Sequence, residues 1–275
     1  MSQLSNFPSS LMLVGAGKMG GSMLEGWLAI GFPGKQIIVI DPHIPAGMAE
    51  LCSKAGVYVN PESRPFTPEV LVLAIKPQML ESVAPSVDPF IGQNTVLVSI
   101  LAGKTIDNLR QRLPNARAVV RTIPNLPASI GKGATGAFAN GETSVDQHRM
   151  VDTLLKTNGI VEWLAAEDLI DAVTAVSGSG PAYVFYLTEC LTKAGIAEGL
   201  PPELAARLAR ATIIGSAALM ESNGGTSPAT LRANVTSPAG TTAAALEKLM
   251  ASNGLEPLME SAVKAARKRA GELAG

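Results

Sequence analysis

Aromatic side chains are scarce in this chain of 275 residues, at 4% against 47% hydrophobic residues overall. A core short of rings must be built from Ala, Val, Leu and Ile, which suits parallel strands covered by helices. Histidine is nearly absent: His43 falls in a loop after an apolar run and His148 in an apparent surface helix. Both read as solvent-facing, and neither position suggests a catalytic base. The two cysteines, Cys52 and Cys190, stand in no C-x-x-C or metal-type spacing. They read as reduced thiols of a cytosolic chain, and no metal is expected. A formal charge of -1 gives no electrostatic reason to expect nucleic acid or an anionic membrane as partner. Lys264, Arg267, Lys268 and Arg269 do cluster, but at the end of a helical pattern, where cations favour the helix dipole. No apolar run approaches the length of a membrane span. The opening residues, MSQLSNFPSS, lack the basic and apolar regions of a secretory signal, so a cytoplasmic protein is expected.

Glycine is plentiful, and its placement carries information. Residues 11–20 read LMLVGAGKMG, four apolar residues running into Gly15, Gly17 and Gly20. This is the G-x-G-x-x-G spacing that lets a backbone turn tightly after a strand and open a helix. Without Cβ atoms the loop can approach a dinucleotide pyrophosphate, and a helix beginning near Lys18 and Met19 offers free N–H groups and its positive end. Alone, the spacing is equally compatible with an ordinary strand-to-helix turn, so the context decides.

Residues 36–41, QIIVID, read as a buried strand ending in Asp41, which lies at about the distance from the glycines of the carboxylate that takes an adenosine ribose hydroxyl. The nearest arginine, Arg64, is not beside it in sequence. Further apolar runs at 70–75, 95–100 and 117–121 alternate with helix-like segments, implying right-handed crossovers and a doubly wound parallel sheet. Ligands of such sheets bind at the carboxyl ends of strands. Those ends here carry Lys76 and Pro77, then Ala102 and Gly103, then Pro124, Asn125 and Pro127. Their coincidence points to a cofactor crevice. Strand-like stretches at 135–140 and 160–164, with a helical one around 146–157 between them, complete this half.

The strand signal then stops, which predicts a domain boundary at 164/165: a dinucleotide-binding domain over 1–164 and an all-α domain over 165–275. Several of the later helices are apolar over much of their circumference, as at 204–220, and must be buried on more than one side. A homodimer through this half is expected. Two segments stand out. SGSGPAYVF, 177–185, has small residues suited to a close approach by helix or ligand. In NVTSPAGTT, 234–242, Ser237 and Pro238 form a helix-start signature. Gly240, Thr241 and Thr242 would then fill the first turn, offering N–H and hydroxyl donors that a small carboxylate needs.

Taken together, GAGKMG, AIKPQ, VSILAG, RTIPNLP, SGSGPAYVF and NVTSPAGTTAAAL resemble pyrroline-5-carboxylate reductase, the last enzyme of proline synthesis, over nearly the whole chain. The resemblance implies a Rossmann-type domain for NADPH or NADH, and a helical dimerisation domain interleaved with its mate, often in a ring of dimers. By motif, Thr242 would hydrogen-bond the imine nitrogen of a cyclic imino acid. Ser237, Gly240 and Thr241 would hold its carboxylate, with Asn234 and Glu167 lining the pocket. Lys76, Pro77, Ala102 and Asn125 would contact the cofactor. The chain departs from the family pattern at Ile123, Leu126 and Ala239, where Met, Thr and Gly are common, and at Asp41. Family habit favours NADPH, whereas a carboxylate at Asp41 repels a 2′-phosphate and tilts the choice to NADH. One rival is a β-hydroxyacid dehydrogenase, whose G-x-G-x-x-x-K lysine would fall at Val184, where a proton cannot be moved. Another is a nucleotide sensor with a dead site, which turnover of an imino acid would exclude.

Overall fold

Leu11, Met12, Leu13 and Val14 are all buried and form β1 (Leu11–Val14), the strand that leads into the glycine loop. In the computed structural model, which describes residues 6–63 and 66–274, it is followed by β2 (Ile37–Ile40), β3 (Tyr58–Val59), β4 (Val70–Leu73), β5 (Val96–Ser99), β6 (Ala118–Ile123), β7 (Gly133–Ala139) and β8 (Gly159–Trp163). They form one sheet in the order β3-β2-β1-β4-β5-β6-β7-β8. The first six strands are mutually parallel, with helices α1 (Lys18–Ala29), α2 (Ala46–Ala55), α3 (Leu80–Val87) and α4 (Ile106–Arg112) among their connections. This is the doubly wound arrangement, with its order reversing at β1.

Two details depart from the expectation of a parallel sheet. β7 runs antiparallel to β6, and β8 runs parallel to β7. The chain between β6 and β7 holds only a 3₁₀ turn at Leu126–Ile130, too short for the crossover that a parallel neighbour requires. β3 is a two-residue edge strand with no apolar run to announce it.

Successive side chains of a strand face opposite ways, and both faces here are covered. Leu11, Leu13, Ile37, Val39, Val70 and Val72 pack with Trp27 of α1 on one side. Met12, Val14, Ile38, Leu71 and Leu73 pack with Leu80 of α3 and Leu109 of α4 on the other. Hence the strands read as continuous apolar runs rather than as alternating ones. α5 (Val145–Lys156) joins the first side, where the Trp27 indole N–H donates to the Leu154 carbonyl at 3.1 Å.

The compact body around the sheet does not end where the strand signal ends. Of the described residues it comprises those within 6–179 together with 266–274. α6 (Leu169–Val173) and the π-helical turn Thr174–Gly178 belong to it, because Ile170 is fully buried and Val173 packs so closely on Gly136 that a Cβ there would lie 2.6 Å from a Val173 methyl.

The second body, Gly180–Ala265, is helical: α7 (Gly180–Ala197), α8 (Pro202–Ser222), α9 (Pro228–Asn234), α10 (Thr241–Leu249) and most of α11 (Leu255–Ala274). Among its described residues only Ala205 and Ala209 are buried. Val184, Phe185, Leu187, Leu191, Ile214 and Leu219 are exposed. The basic cluster near the C-terminus lies inside α11 rather than at its end. The helix runs on to Ala274, its last turn holds no basic residue, and Lys268 and Arg269 pair with Glu272 at 3.9 and 2.9 Å. No helix among the described residues is long and apolar enough to cross a membrane.

Candidate active site

The three loop glycines have different physical reasons. Gly15 has φ +94°, and a Cβ on it would lie 2.6 Å from the Ala74 carbonyl oxygen, so a side chain is excluded on both counts. A Cβ on Gly20 would run into the Gly15 carbonyl. Gly17 is the opposite case: it caps α1 in extended geometry, and no protein atom comes within 4 Å of where its Cβ would be. The space over Gly17 is open. The N–H groups of Lys18, Met19 and Gly20, in the first turn of α1, have no carbonyl four residues back within the helix. A cradle for an anion results, at the positive end of the helix.

Beside it lies a cleft of about 720 Å³ whose walls include Gly17, Lys18 and Met19, then Lys76 and Pro77 after β4, Ala102 after β5, Ile123 and Pro124 at the end of β6, and Thr174, Gly178 and Ser179. Apart from Thr174, Gly178 and Ser179, these follow strand carboxyl ends around the point where the strand order reverses, the place where open α/β sheets bind ligands. Pro77 opens a 3₁₀ turn capped by Lys76. Gly103, next to Ala102, has φ +69°, and a Cβ there would lie 2.8 Å from the Leu273 carbonyl oxygen near the end of α11. Eight of the expected cofactor residues thus belong to the loop or to the cleft wall.

Asp41 is held rigidly just after β2. One carboxylate oxygen accepts the Ala16 N–H at 2.8 Å and the other the His43 N–H at 2.8 Å. Its backbone N–H and carbonyl are both bonded to the Asn60 amide, at 2.9 and 2.8 Å. A carboxylate has about four lone-pair positions, so each oxygen can still accept from a ribose hydroxyl. Asn60, at φ +44°, went unnoticed in the sequence, and Arg64 lies outside the described residues.

Asn125 and Glu167 both have partners within the first body. Asn125 is 8% exposed; its Oδ1 accepts the Ala134 N–H at 2.9 Å and its Nδ2 donates to the Ser177 carbonyl at 3.0 Å. Glu167 Oε1 accepts from the Ile106 N–H, at the start of α4, at 2.8 Å and from Arg121 Nη1 at 3.0 Å. The Arg121 side chain is 3% exposed, and Asp171 lies 3.9 Å from its Nη2. Arg121 escaped the sequence reading, since a charged residue inside an apolar strand gives no sign of its partners.

Apart from Glu167, the residues expected to meet the substrate lie in the second body. Asn234 ends α9, and α10 begins at Thr241 with Gly240 as its cap, so Thr241 and Thr242 are its first two residues. Ser237 is not the N-cap that the Ser-Pro pair suggested. Its carbonyl accepts the Gly240 N–H at 3.0 Å, closing a turn in which Ala239 takes φ +56°. A left-handed residue cannot continue into a helix, and this moves the start to Thr241. No side chain caps α10, and its first N–H groups face outward from its positive end.

The two histidines hold no place in either region. His43 is exposed, whereas His148 is half-buried, with its ring stacked on Trp163 at 3.7 Å between centroids. Beside that stack, burial raises the Asp152 pKa, but hydrogen bonds from Lys156 and Trp163 and the charges of Lys156 and His148 outweigh it and leave the carboxyl below its usual range.

Residues 167–273 match the family model for pyrroline-5-carboxylate reductase dimerisation, and residues 10–103 match that described as NADP oxidoreductase coenzyme F420-dependent. A pyrroline-5-carboxylate reductase from Pseudomonas aeruginosa is 41% identical over 96% of this chain and 96% of its own. Among solved structures, the chain resembles a pyrroline-5-carboxylate reductase from Coxiella burnetii, with a TM-score of 0.89 and 32% identity over 97% of this chain and 99% of the other. A pyrroline carboxylate reductase from Plasmodium falciparum, solved with NADP bound, gives 0.80 and 25% over 97% and 98%.

Proposed function

The chain belongs to the pyrroline-5-carboxylate reductase family, from which we infer that it reduces the C=N bond of 1-pyrroline-5-carboxylate with a nicotinamide hydride donor, giving L-proline in the last step of proline biosynthesis. The observation that carries this reading is the open face of Gly17 at the start of α1, beside a cleft at the strand carboxyl ends. The dinucleotide supplies the hydride; the residues around it supply position and electrostatics.

Lys18, Met19 and Gly20 offer backbone donors to the pyrophosphate, while Lys76, Pro77 and Ala102 shape the cleft. Asp41 receives a ribose hydroxyl, and its fixed negative charge sets the preference toward NADH. The relative solved with NADP is the counterweight that makes the ratio worth measuring. The start of α10 holds the substrate: backbone donors of Gly240 and Thr241 and the Ser237 hydroxyl take the carboxylate, and Asn234 lines the pocket. Thr242 donates to, or orients, the imine nitrogen, which is basic enough to arrive protonated. No strong general acid is then needed, which agrees with the positions of His43 and His148. Glu167 supports the site by holding Arg121 and α4.

The functional division proposed is 1–164 for the dinucleotide, with the turn at 174–179 completing the cleft, and the rest of 165–275 for substrate and self-association. The chain carries the family's dimerisation domain, and the helical body buries little by itself. Its apolar faces support a homodimer, with a ring of dimers as the larger assembly. The free thiols of Cys52 and Cys190 agree with a cytoplasmic location.

Steady-state oxidation of NADH and of NADPH in the presence of pyrroline-5-carboxylate tests the reading. Turnover is expected with at least one carrier. A folded protein that binds the nucleotide yet turns over with neither would overturn it.

A further inference from the structure

Asn125 directly follows Pro124 in the cleft wall, yet its amide is bonded to two backbone groups brought from elsewhere in the chain. The Ala134 N–H belongs to the second residue of β7, and the Ser177 carbonyl belongs to the π-helical turn Thr174–Gly178. That turn is closed by the Ser179 N–H bonding back to the Thr174 carbonyl at 2.8 Å. In an α-helix the Ser177 carbonyl would accept from the residue four positions on, but that residue is Pro181, which has no N–H. Asn125 Nδ2 supplies a donor that the chain itself withholds. The turn so held presents Thr174, Gly178 and Ser179 to the cleft, with Gly178 close against Ile123.

We propose that Asn125 is a positioning residue for the cofactor cleft, acting through the Ser177 carbonyl and the π-helical turn rather than by touching the cofactor. Turns of this type inside helices recur at functional sites, and this one needs an external donor to keep its register. The proposal rests on the reductase reading only for the identity of the ligand; the clamp itself is a property of the free protein.

The test compares the wild-type enzyme with Asn125→Asp, which can still accept the Ala134 N–H but turns an oxygen toward the Ser177 carbonyl. Amide hydrogen exchange of residues 174–179 is measured on the full-length enzyme without nucleotide, and Kd and KM for NADH and NADPH are measured alongside kcat. Positioning expects faster exchange in 174–179 and a Kd and KM raised about tenfold with a smaller change in kcat. Exchange unchanged while Kd rises would mean that Asn125 contacts the cofactor directly. Faster exchange with Kd unchanged would mean that the clamp serves stability alone. Either result overturns the proposal. Should Asn125→Asp not fold, Asn125→Ala, which leaves no opposed oxygens, carries the same expectations. Failure of the wild-type enzyme to bind nicotinamide nucleotides would instead count against the reductase reading, and the exchange arm would still report on the clamp.

Discussion

The Asp41 carboxylate accepts the backbone N–H of Ala16 at 2.8 Å, so the acid that follows β2 is tied to the glycine loop that follows β1. The charge cannot swing away from a nucleotide lying along that loop. Like charges forced together at an interface cost several kcal/mol. Replacing Asp41 by Asn keeps the shape and an acceptor while removing the charge. The ratio of kcat/KM for NADPH to that for NADH is expected to rise by about tenfold or more, since about 1.4 kcal/mol is tenfold. An unchanged ratio would place Asp41 away from the adenosine ribose.

Gly17 and Gly20 are expected to fail in different ways. A Cβ at Gly17 meets no protein atom, so Gly17→Ala is expected to fold with a stability loss of about 1 kcal/mol or less but to fill the space proposed for the pyrophosphate. Gly20→Ala drives a Cβ into the Gly15 carbonyl and loses stability and nucleotide binding together. Thermal melting with and without the reduced nucleotide separates the two: the melting temperature of Gly17→Ala should respond little to ligand while starting near the wild-type value.

At the start of α10, Thr242→Ala is expected to lower kcat by about 10²-fold, the scale for removing one preorganised donor. Because Gly240 and not Ser237 caps that helix, Ser237→Ala should change stability by only about 0.5 kcal/mol. Its effect should instead appear as a raised KM for the imino acid. Steady-state kinetics beside urea unfolding reads both.

Glu167 sits against a guanidinium that is almost wholly buried. Truncation leaves that charge without its closest partner, and breaking a buried pair costs about 3 to 5 kcal/mol; with Glu167 partly exposed, about 3 kcal/mol is expected for Glu167→Ala. Glu167→Gln, which keeps an acceptor for Arg121 and for the Ile106 N–H, should lose less. Denaturant midpoints measure the difference, and lost activity at unchanged stability would return Glu167 to the substrate pocket.

Ala239 holds φ +56°, a conformation that costs a residue with a Cβ about 1 to 2 kcal/mol. Glycine relieves that strain but adds unfolded-state freedom worth about 0.4 to 1 kcal/mol. The net expectation for Ala239→Gly is a gain of about 0.5 to 1 kcal/mol, read by calorimetry.

The features legible in the residue order are those whose cause is local. Gly15, Gly17 and Gly20 are set by what a tight turn permits, and the runs that became β1, β2, β4 and β5 by the need to cover both faces of a sheet. The specific segments SGSGPAYVF and NVTSPAGTT were visible for the same reason. Local cues also misled where a neighbouring backbone angle intervened. Ser237 and Pro238 look like a helix start until Ala239 turns left-handed, and Lys264 to Arg269 look like a helix end until α11 continues past them.

What the residue order could not disclose is the set of pairings made across long sequence separations: Asn125 with Ser177, Arg121 with Glu167, Asp41 with Ala16, and Gly103 with Leu273. Each depends on where folding carries a distant backbone group, and a side chain's type leaves its partner undetermined. Apolar runs and glycine spacing were enough for the parallel strands and the loop after β1, and the quoted motifs for a resemblance to the family. Which polar side chains face the ligand, and which are consumed in holding those that do, is decided only when the chain is packed, because a buried donor or acceptor must take whatever partner the fold brings within reach.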